Sequence, residues 1–175
     1  YLLDACQQLQ QRGLDFTCTI IGAGPGESAL RSRIQTHQLQ QRVKLPGSRP
    51  HPEVIAAYEQ HDLFVLASVV APDGDRDGIP IVLMEAGAAG LPLVSTSVSG
   101  IQELVWHGQT GFLVPPRDAA ALADSITALA QEPALRAQLG REARHLVETR
   151  FNLETNTRKL ADLFERVIAA QSGPG

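Results

Sequence analysis

No run of apolar residues in this chain approaches the roughly 18 needed to cross a bilayer as a helix. An excess of positive charge is lacking too. Lys and Arg total 15 against 19 Asp and Glu, a net charge of −4, which argues against a nucleic-acid or anionic-membrane surface. Cysteine is scarce: Cys6 and Cys18 stand without a CxxC pattern or a histidine at ligand spacing. That argues against a disulfide framework or a zinc site, and leaves a reduced pair of structural thiols in the cytoplasm as the expectation. Tyr1-Leu2-Leu3 passes at once into Asp4 and a Gln-rich segment, unlike a secretory leader. Internal repeats and low-complexity linkers are missing as well. What remains is 175 residues, 43% hydrophobic and 19% charged, the composition of an ordinary soluble protein and the length of one domain with a substantial core.

The chain reads as strands and helices in alternation. Leu2, Leu3, Cys6 and Leu9 fall on one helical face that ends at Gly13, and no Met precedes Tyr1, so a fragment of a longer protein is expected. Residues 15–21 (DFTCTII) are rich in β-branched side chains and run into Gly22-Ala23-Gly24-Pro25-Gly26, a buried strand meeting a tight turn with a helix opening near Glu27. The turn is not a dinucleotide fingerprint, because Glu27 stands where GxGxxG needs its third glycine. A polar-faced helix over 30–39 and a short strand over 43–45 follow, the strand stopped by Pro46-Gly47. Residues 48–52 should be a loop because of their two prolines, and a helix over 53–60 draws apolar contacts from Val54, Ile55, Ala57 and Tyr58. A strand over 63–67 leads into the richest stretch, and a helix over 101–107 and a strand over 112–114 come after it. From Asp118 onward the pattern is helical, with Asp118 and Asn152 as N-caps, Pro133 as a helix start and a loose tail over 171–175. Such alternation predicts an α/β fold: a doubly wound parallel sheet, Rossmann-like, of five strands.

On such sheets ligands sit outside the carboxyl ends of the strands. The loops beginning at Gly22, Gly47, Ser68 and Ser97 should therefore cluster. Residues 68–96 (SVVAPDGDRDGIPIVLMEAGAAGLPLVST) carry the chemistry: a loop crowded with Asp, Gly and Pro, a short helix containing Glu85, and a Gly-Leu-Pro turn into the next strand. A strand, a Gly-rich loop and a helix start bring free backbone N–H groups and the positive end of the helix dipole together, which suits an anion. Asp77 and Glu85, with seven residues between them, add carboxylate acceptors suited to sugar hydroxyls. His37, His61, His107 and His145 read as surface or helix residues.

Residues 77–118 (DGIPIVLMEAGAAGLPLVSTSVSGIQELVWHGQTGFLVPPRD), with IIGAGP, VKLPG, LFVLAS and a last helix opening at RFN, resemble the carboxy-terminal, donor-binding domain of family-four glycosyltransferases of the GT-B fold. The resemblance spans essentially the whole chain, and DGIPIVLMEA is similar to the bacterial enzymes that build exopolysaccharide and lipopolysaccharide. It implies that residues 1–170 form a nucleotide-sugar domain, incomplete at its N-terminus, whose usual first strand would lie centrally, between the strands at Thr17 and Leu63. A gap or a poorly paired centre is expected there. The family's Arg and Lys for the diphosphate, and its acceptor-binding domain, would lie upstream.

The resemblance also assigns roles. Glu85 falls on the carboxylate that accepts the ribose hydroxyls. Asp77 replaces the family's glutamate at the transferred sugar, one methylene shorter, and suits a helix cap equally. Gly78, Ile79, Ile81 and Val82 would offer N–H groups to the diphosphate, while Pro80, which has none, replaces the commoner glycine and suits the first helical position. Arg49 and His51 match the loop that holds the base, and Gly22 and Gly24 the glycine-rich turn. The implied reaction is transfer of a sugar, with retention, from a UDP- or GDP-sugar donor to a saccharide or lipid-linked acceptor. No tightly bound cofactor and no obligatory metal are implied; Asp73-Gly74-Asp75 resembles a metal motif only in a loop expected to be exposed. A cytoplasmic enzyme is implied, at most peripheral to the membrane. A nucleotide-sugar 2-epimerase and a non-catalytic binding domain on the same fold stay open. A response-regulator-like domain is disfavoured, because Gly-Ala-Gly-Pro stands where its acidic cluster would be.

Overall fold

The computed structural model describes residues 1–74, 76 and 78–171. Strand β4 (Leu93–Thr96) is buried at all four residues, as expected of a strand covered on both faces. Alternation along it divides the core. Leu93 packs with Leu83, Ala86, Ile101, Leu104 and Ala143, while Val94 points to the opposite face with Ala5, Leu9, Leu122 and Ile126. β3 (Phe64–Leu66) and β5 (Gly111–Val114) flank β4 and run parallel to it. β1 (Cys18–Ile21) and β2 (Val43–Gly47) form a second parallel ladder, apart from the first.

Among the described residues the five strands thus divide into ladders of two and three, and β1 and β3 do not pair with each other. The break falls where the gap was expected, between Thr17 and Leu63. Helix α1 (Leu2–Gln11) spans it: Leu3 and Cys6 pack with Ile34, Leu39 and Val43, and Ala5 and Leu9 pack with Val94 and Leu122. Arg12, just past that helix, pairs with Asp124 at 2.7 Å, and His61 Nε2 lies 3.2 Å from Thr19 Oγ1. His61 is therefore a half-buried bridge between the two ladders rather than a surface or helical residue.

The remaining helices cover both faces in the expected order: α2 (Glu27–Thr36), α3 (His51–Glu59), α4 (Ile81–Ala88), α5 (Ile101–Leu104), α6 (Ala119–Gln131), α7 (Pro133–Arg150) and α8 (Leu153–Gln171). The two polar caps sit where they were read. Asp118 Oδ1 accepts from the Ala121 N–H, and Asn152 Oδ1 from the Thr155 N–H, each at 2.9 Å. α8 leaves Leu160, Leu163, Phe164, Val167 and Ile168 exposed. Among the described residues no helix is long and apolar enough to cross a membrane.

Proline accounts for three corrections. β2 does not stop at Leu45 but continues through Pro46 to Gly47, with an irregularity between Thr19 and Ile21 on its partner. A strand with one paired edge loses nothing by a missing N–H on the other, which is why proline is tolerated there. Residues 51 and 52 are not loop: α3 opens at His51, with Pro50 as N-cap and Pro52 in the first turn, where the helix makes no use of the N–H. Pro80 is the N-cap of α4, extended at φ −61° and ψ 128°, rather than its first helical residue. Other bounds differ as well: α2 ends at Thr36 rather than at residue 39, β3 covers Phe64–Leu66 within the expected 63–67, and β5 starts one residue early at Gly111. β1 begins at Cys18 instead of residue 15, because residues 15–17 precede the first paired residue, and α5 ends at Leu104, where Val105 turns extended. Residues 172–175 of the expected tail lie outside the described residues.

Candidate functional site

Every ladder is parallel, so within each the carboxyl ends of the strands share one side, and hydrogen bonds tie the loops that leave them. Gly22, at φ +143°, donates its N–H to the Gly47 carbonyl at 3.1 Å, joining the turn after β1 to the end of β2. That φ belongs to glycine, which has no Cβ to oppose it. The Gly100 N–H donates to the Gly78 carbonyl at 3.2 Å, joining the loops after β3 and β4. β4 secures the chain leaving β3 with two hydroxyls: Ser95 Oγ donates to the Leu66 carbonyl at 2.7 Å and Thr96 Oγ1 to the Ser68 carbonyl at 2.6 Å. The stretch 68–96 is therefore closed on itself at its two ends. Thr96→Val keeps the shape of a side chain only 1% exposed but leaves that carbonyl without its donor. A loss of about 1–2 kcal/mol is expected, read as a lower midpoint in urea unfolding.

Helix α4 follows the closed loop. Ile81 and Val82 are exposed, and their N–H groups, the first two of the helix, have no acceptor within it. The Leu83 N–H, by contrast, already donates to the Pro80 carbonyl at 3.0 Å. Leu83, Ala86 and Gly87 are buried, so the helix is fixed by its inner face. Glu85 sits on the boundary, its side chain 23% exposed, with both oxygens engaged. Oε1 lies 2.9 Å from Nε2 of His51 at the start of α3, and Oε2 accepts from the Tyr58 hydroxyl at 3.2 Å. Tyr58 is only 6% exposed and meets Phe64 of β3 edge-on, with ring centroids 5.7 Å apart. Burial, with the charge and hydrogen bond of Glu85 added, pushes its hydroxyl up to about 12, so it remains a proton donor across the physiological range.

The structure thus brings together Glu85, His51 and the start of α4, with Gly78 and Ile79 in the adjoining loop. Arg49 is exposed, just before α3, and lies 3.9 Å from Glu53 in that helix's first turn rather than beside Glu85. Gly22 and Gly24 are exposed in the turn after β1. Asp77 and Asp75 lie outside the described residues. Beside the site a cavity of about 380 Å³ is lined by Ala67, Ser68, Val69, Ala71, Arg76, Val98 and Ile101. Arg76, which the sequence reading passed over, puts a cation at its wall. Tyr58 reads from the sequence as an apolar contact; the hint there is a hydroxyl-bearing ring on the short helix that precedes the strand leading to Glu85's loop and helix. Among the described residues no group of three His, Cys, Asp or Glu side chains could hold a metal ion.

An open parallel sheet with a carboxylate and a helix start at the carboxyl ends of its strands defines a ligand-binding α/β domain of the doubly wound class. Within that class the chain belongs to the glycosyl transferases group 1 family, whose model matches residues 1–146. WcaL of Escherichia coli K12, named as a glycosyltransferase of colanic acid biosynthesis, is 44% identical over 164 residues, covering 93% of this chain and 40% of WcaL. The amylovoran biosynthesis glycosyltransferase AmsK of Erwinia amylovora is 43% identical over 165 residues, 94% of this chain and 40% of AmsK. The chain therefore spans about two fifths of the length of these curated relatives. Among solved structures, Anabaena HepE in complex with UDP-glucose superposes with a TM-score of 0.81 at 26% identity, over 94% of this chain and 44% of HepE.

Proposed function

We propose that this chain is the donor-binding part of a retaining glycosyltransferase that moves a sugar from a nucleotide diphosphate sugar to an acceptor hydroxyl, in the synthesis of a bacterial polysaccharide or glycolipid. The observation that carries this reading is the Glu85 carboxylate, held at the sheet's carboxyl end beside the exposed first turn of α4. An ionised carboxylate accepts both hydroxyls of a ribose cis-diol and so orients the nucleotide. The N–H groups of Ile81 and Val82, with Gly78 and Ile79 before them, face the diphosphate. Bond cleavage at the anomeric carbon leaves negative charge on that diphosphate, and the helix start offsets it without needing to move. Asp77 contacts the transferred sugar, and His51 and Arg49 border the base. The likeness to HepE, whose structure holds UDP-glucose, and to relatives named for colanic acid and amylovoran biosynthesis supports the donor and product classes.

Calorimetric titration of UDP and of GDP into the protein as its gene encodes it tests the reading. Glu85→Gln keeps the length of the side chain and removes its charge, and should weaken the preferred nucleotide about tenfold. Unchanged affinity for both nucleotides would refute the donor site. Release of the free sugar or transfer to an acceptor saccharide, followed by mass spectrometry of the products, then identifies the acceptor class.

A further inference from the structure

A glutamate that binds a diol must present its carboxylate in one orientation, yet its side chain has several rotatable bonds and loses that freedom on binding. Here the freedom is already removed. Oε2 is taken by the Tyr58 hydroxyl at 3.2 Å, and Tyr58 is itself packed on all sides: 6% exposed, in the same core cluster as Leu83 and Ala86 of α4, and set edge-on against Phe64 at an interplanar angle of 77°. Oε1 meets a different neighbour. His51 Nε2 touches it at 2.9 Å, but the His51 side chain is 68% exposed and stands at the first position of α3. One oxygen is fastened to a rigid post, and the other faces a contact that a ligand can replace.

We infer that Tyr58 is a positioning residue of the nucleotide site, fixing the Glu85 carboxylate through Oε2 so that Oε1 is presented to the ribose hydroxyls in the place His51 occupies. The inference rests on the donor-site reading and adds a residue that acts only through Glu85. A residue that acts only through the Glu85 carboxylate affects only what that carboxylate binds, so its effect is confined to the ribose hydroxyls. Pre-orientation of this kind raises affinity by lowering the ordering cost of binding rather than by adding a contact.

The test compares UDP and GDP with their 2′,3′-dideoxy forms, titrated into the protein as its gene encodes it. The wild type should bind the ribose form of its preferred nucleotide more tightly than the dideoxy form. Tyr58→Phe keeps the ring and its contact with Phe64 and deletes only the hydroxyl. It should weaken the ribose form about fivefold and leave the dideoxy form unchanged, so that discrimination shrinks by the same factor. Equal weakening of both forms would mean that Tyr58 is merely structural, and no weakening would mean that Glu85 orients itself; either overturns the inference. The donor-site reading fails separately: there Glu85→Gln leaves the discrimination intact, or the wild type shows none. Loss of discrimination in Glu85→Gln but not in Tyr58→Phe sinks only the role of Tyr58.

Discussion

Gly111→Ala is expected to lower the melting temperature of the protein by about 10 °C. A Cβ built on Gly111 would lie 1.8 Å from the Leu93 carbonyl oxygen, 2.7 Å from its carbon and 2.8 Å from the Leu93 nitrogen. All three atoms are backbone, and Leu93 belongs to the strand buried on both faces, so no side chain can turn aside to make room. Relief requires β4 and β5 to separate at the very residue where their register begins. Overpacking in a core ordinarily costs about 1–3 kcal/mol, and a clash with fixed backbone belongs at or beyond the upper end of that range. For a domain of this size each kcal/mol moves the melting temperature by about 2–4 °C. Gly108→Ala is the control. Gly108 has φ +76° but open space around its missing Cβ, so it tests conformational strain without a clash and should cost about 1 kcal/mol. Equal melting temperatures for the two variants, by circular dichroism, would contradict the steric account. Gly111 opens β5 at the end of the ladder away from the loops that carry Glu85, so the protein that remains folded should bind nucleotide as before.

The order of the elements was legible because the local signals agree with one another. β-branched runs end in Gly or Pro, helices carry apolar residues at helical spacing, and Asp118 and Asn152 mark helix starts that the structure reproduces to the residue. Proline misled wherever its cost was counted without its surroundings. Pro46, Pro50 and Pro52 all read as breakers, yet one sits in a strand with a single paired edge and the others at a helix start, where the N–H that proline lacks would go unused. The break between β1 and β3 is of another kind. No periodicity reveals which strands pair, and only the family resemblance placed it. The site divides in the same way. Glu85 stood out because a motif carries it, whereas Tyr58 lies 27 residues away in sequence and meets it only in the folded core, where it clusters with Leu83 and Ala86 of α4. A hydroxyl that fastens another residue's side chain leaves no local trace.

Gly140→Ala is expected to lower stability and nucleotide affinity together. α7 passes across the end of α4 so closely that a Cβ on Gly140 would lie 2.0 Å from the Gly90 carbonyl oxygen and 3.0 Å from its carbon. One turn further along, a Cβ on Gly87 would lie 3.1 Å from Val147 Cγ2 and 3.7 Å from the Ala143 carbonyl oxygen, so small residues on both helices permit the approach. Two effects of the substitution oppose each other. Alanine is favoured over glycine in a helix interior by about 1 kcal/mol, which alone would stabilise α7. The clash costs about 3 kcal/mol, so the net sign is destabilising by about 2 kcal/mol. The atom struck matters more than the amount. Gly90, at φ +84°, ends α4, and Leu91 donates back to the Ala86 carbonyl at 3.1 Å, so a push on Gly90 passes directly into the helix that carries Glu85. Glu85 is held by contacts of 2.9 and 3.2 Å, and a tilt of a few tenths of an ångström breaks at least one of them. Titration at a temperature where the variant stays folded should show affinity for the preferred nucleotide reduced about fivefold or more. Gly111→Ala, with the larger loss of stability, should show none. If Gly140→Ala binds as the wild type does, α4 is anchored by its start at Pro80 rather than by its end, and the contact with α7 serves stability alone.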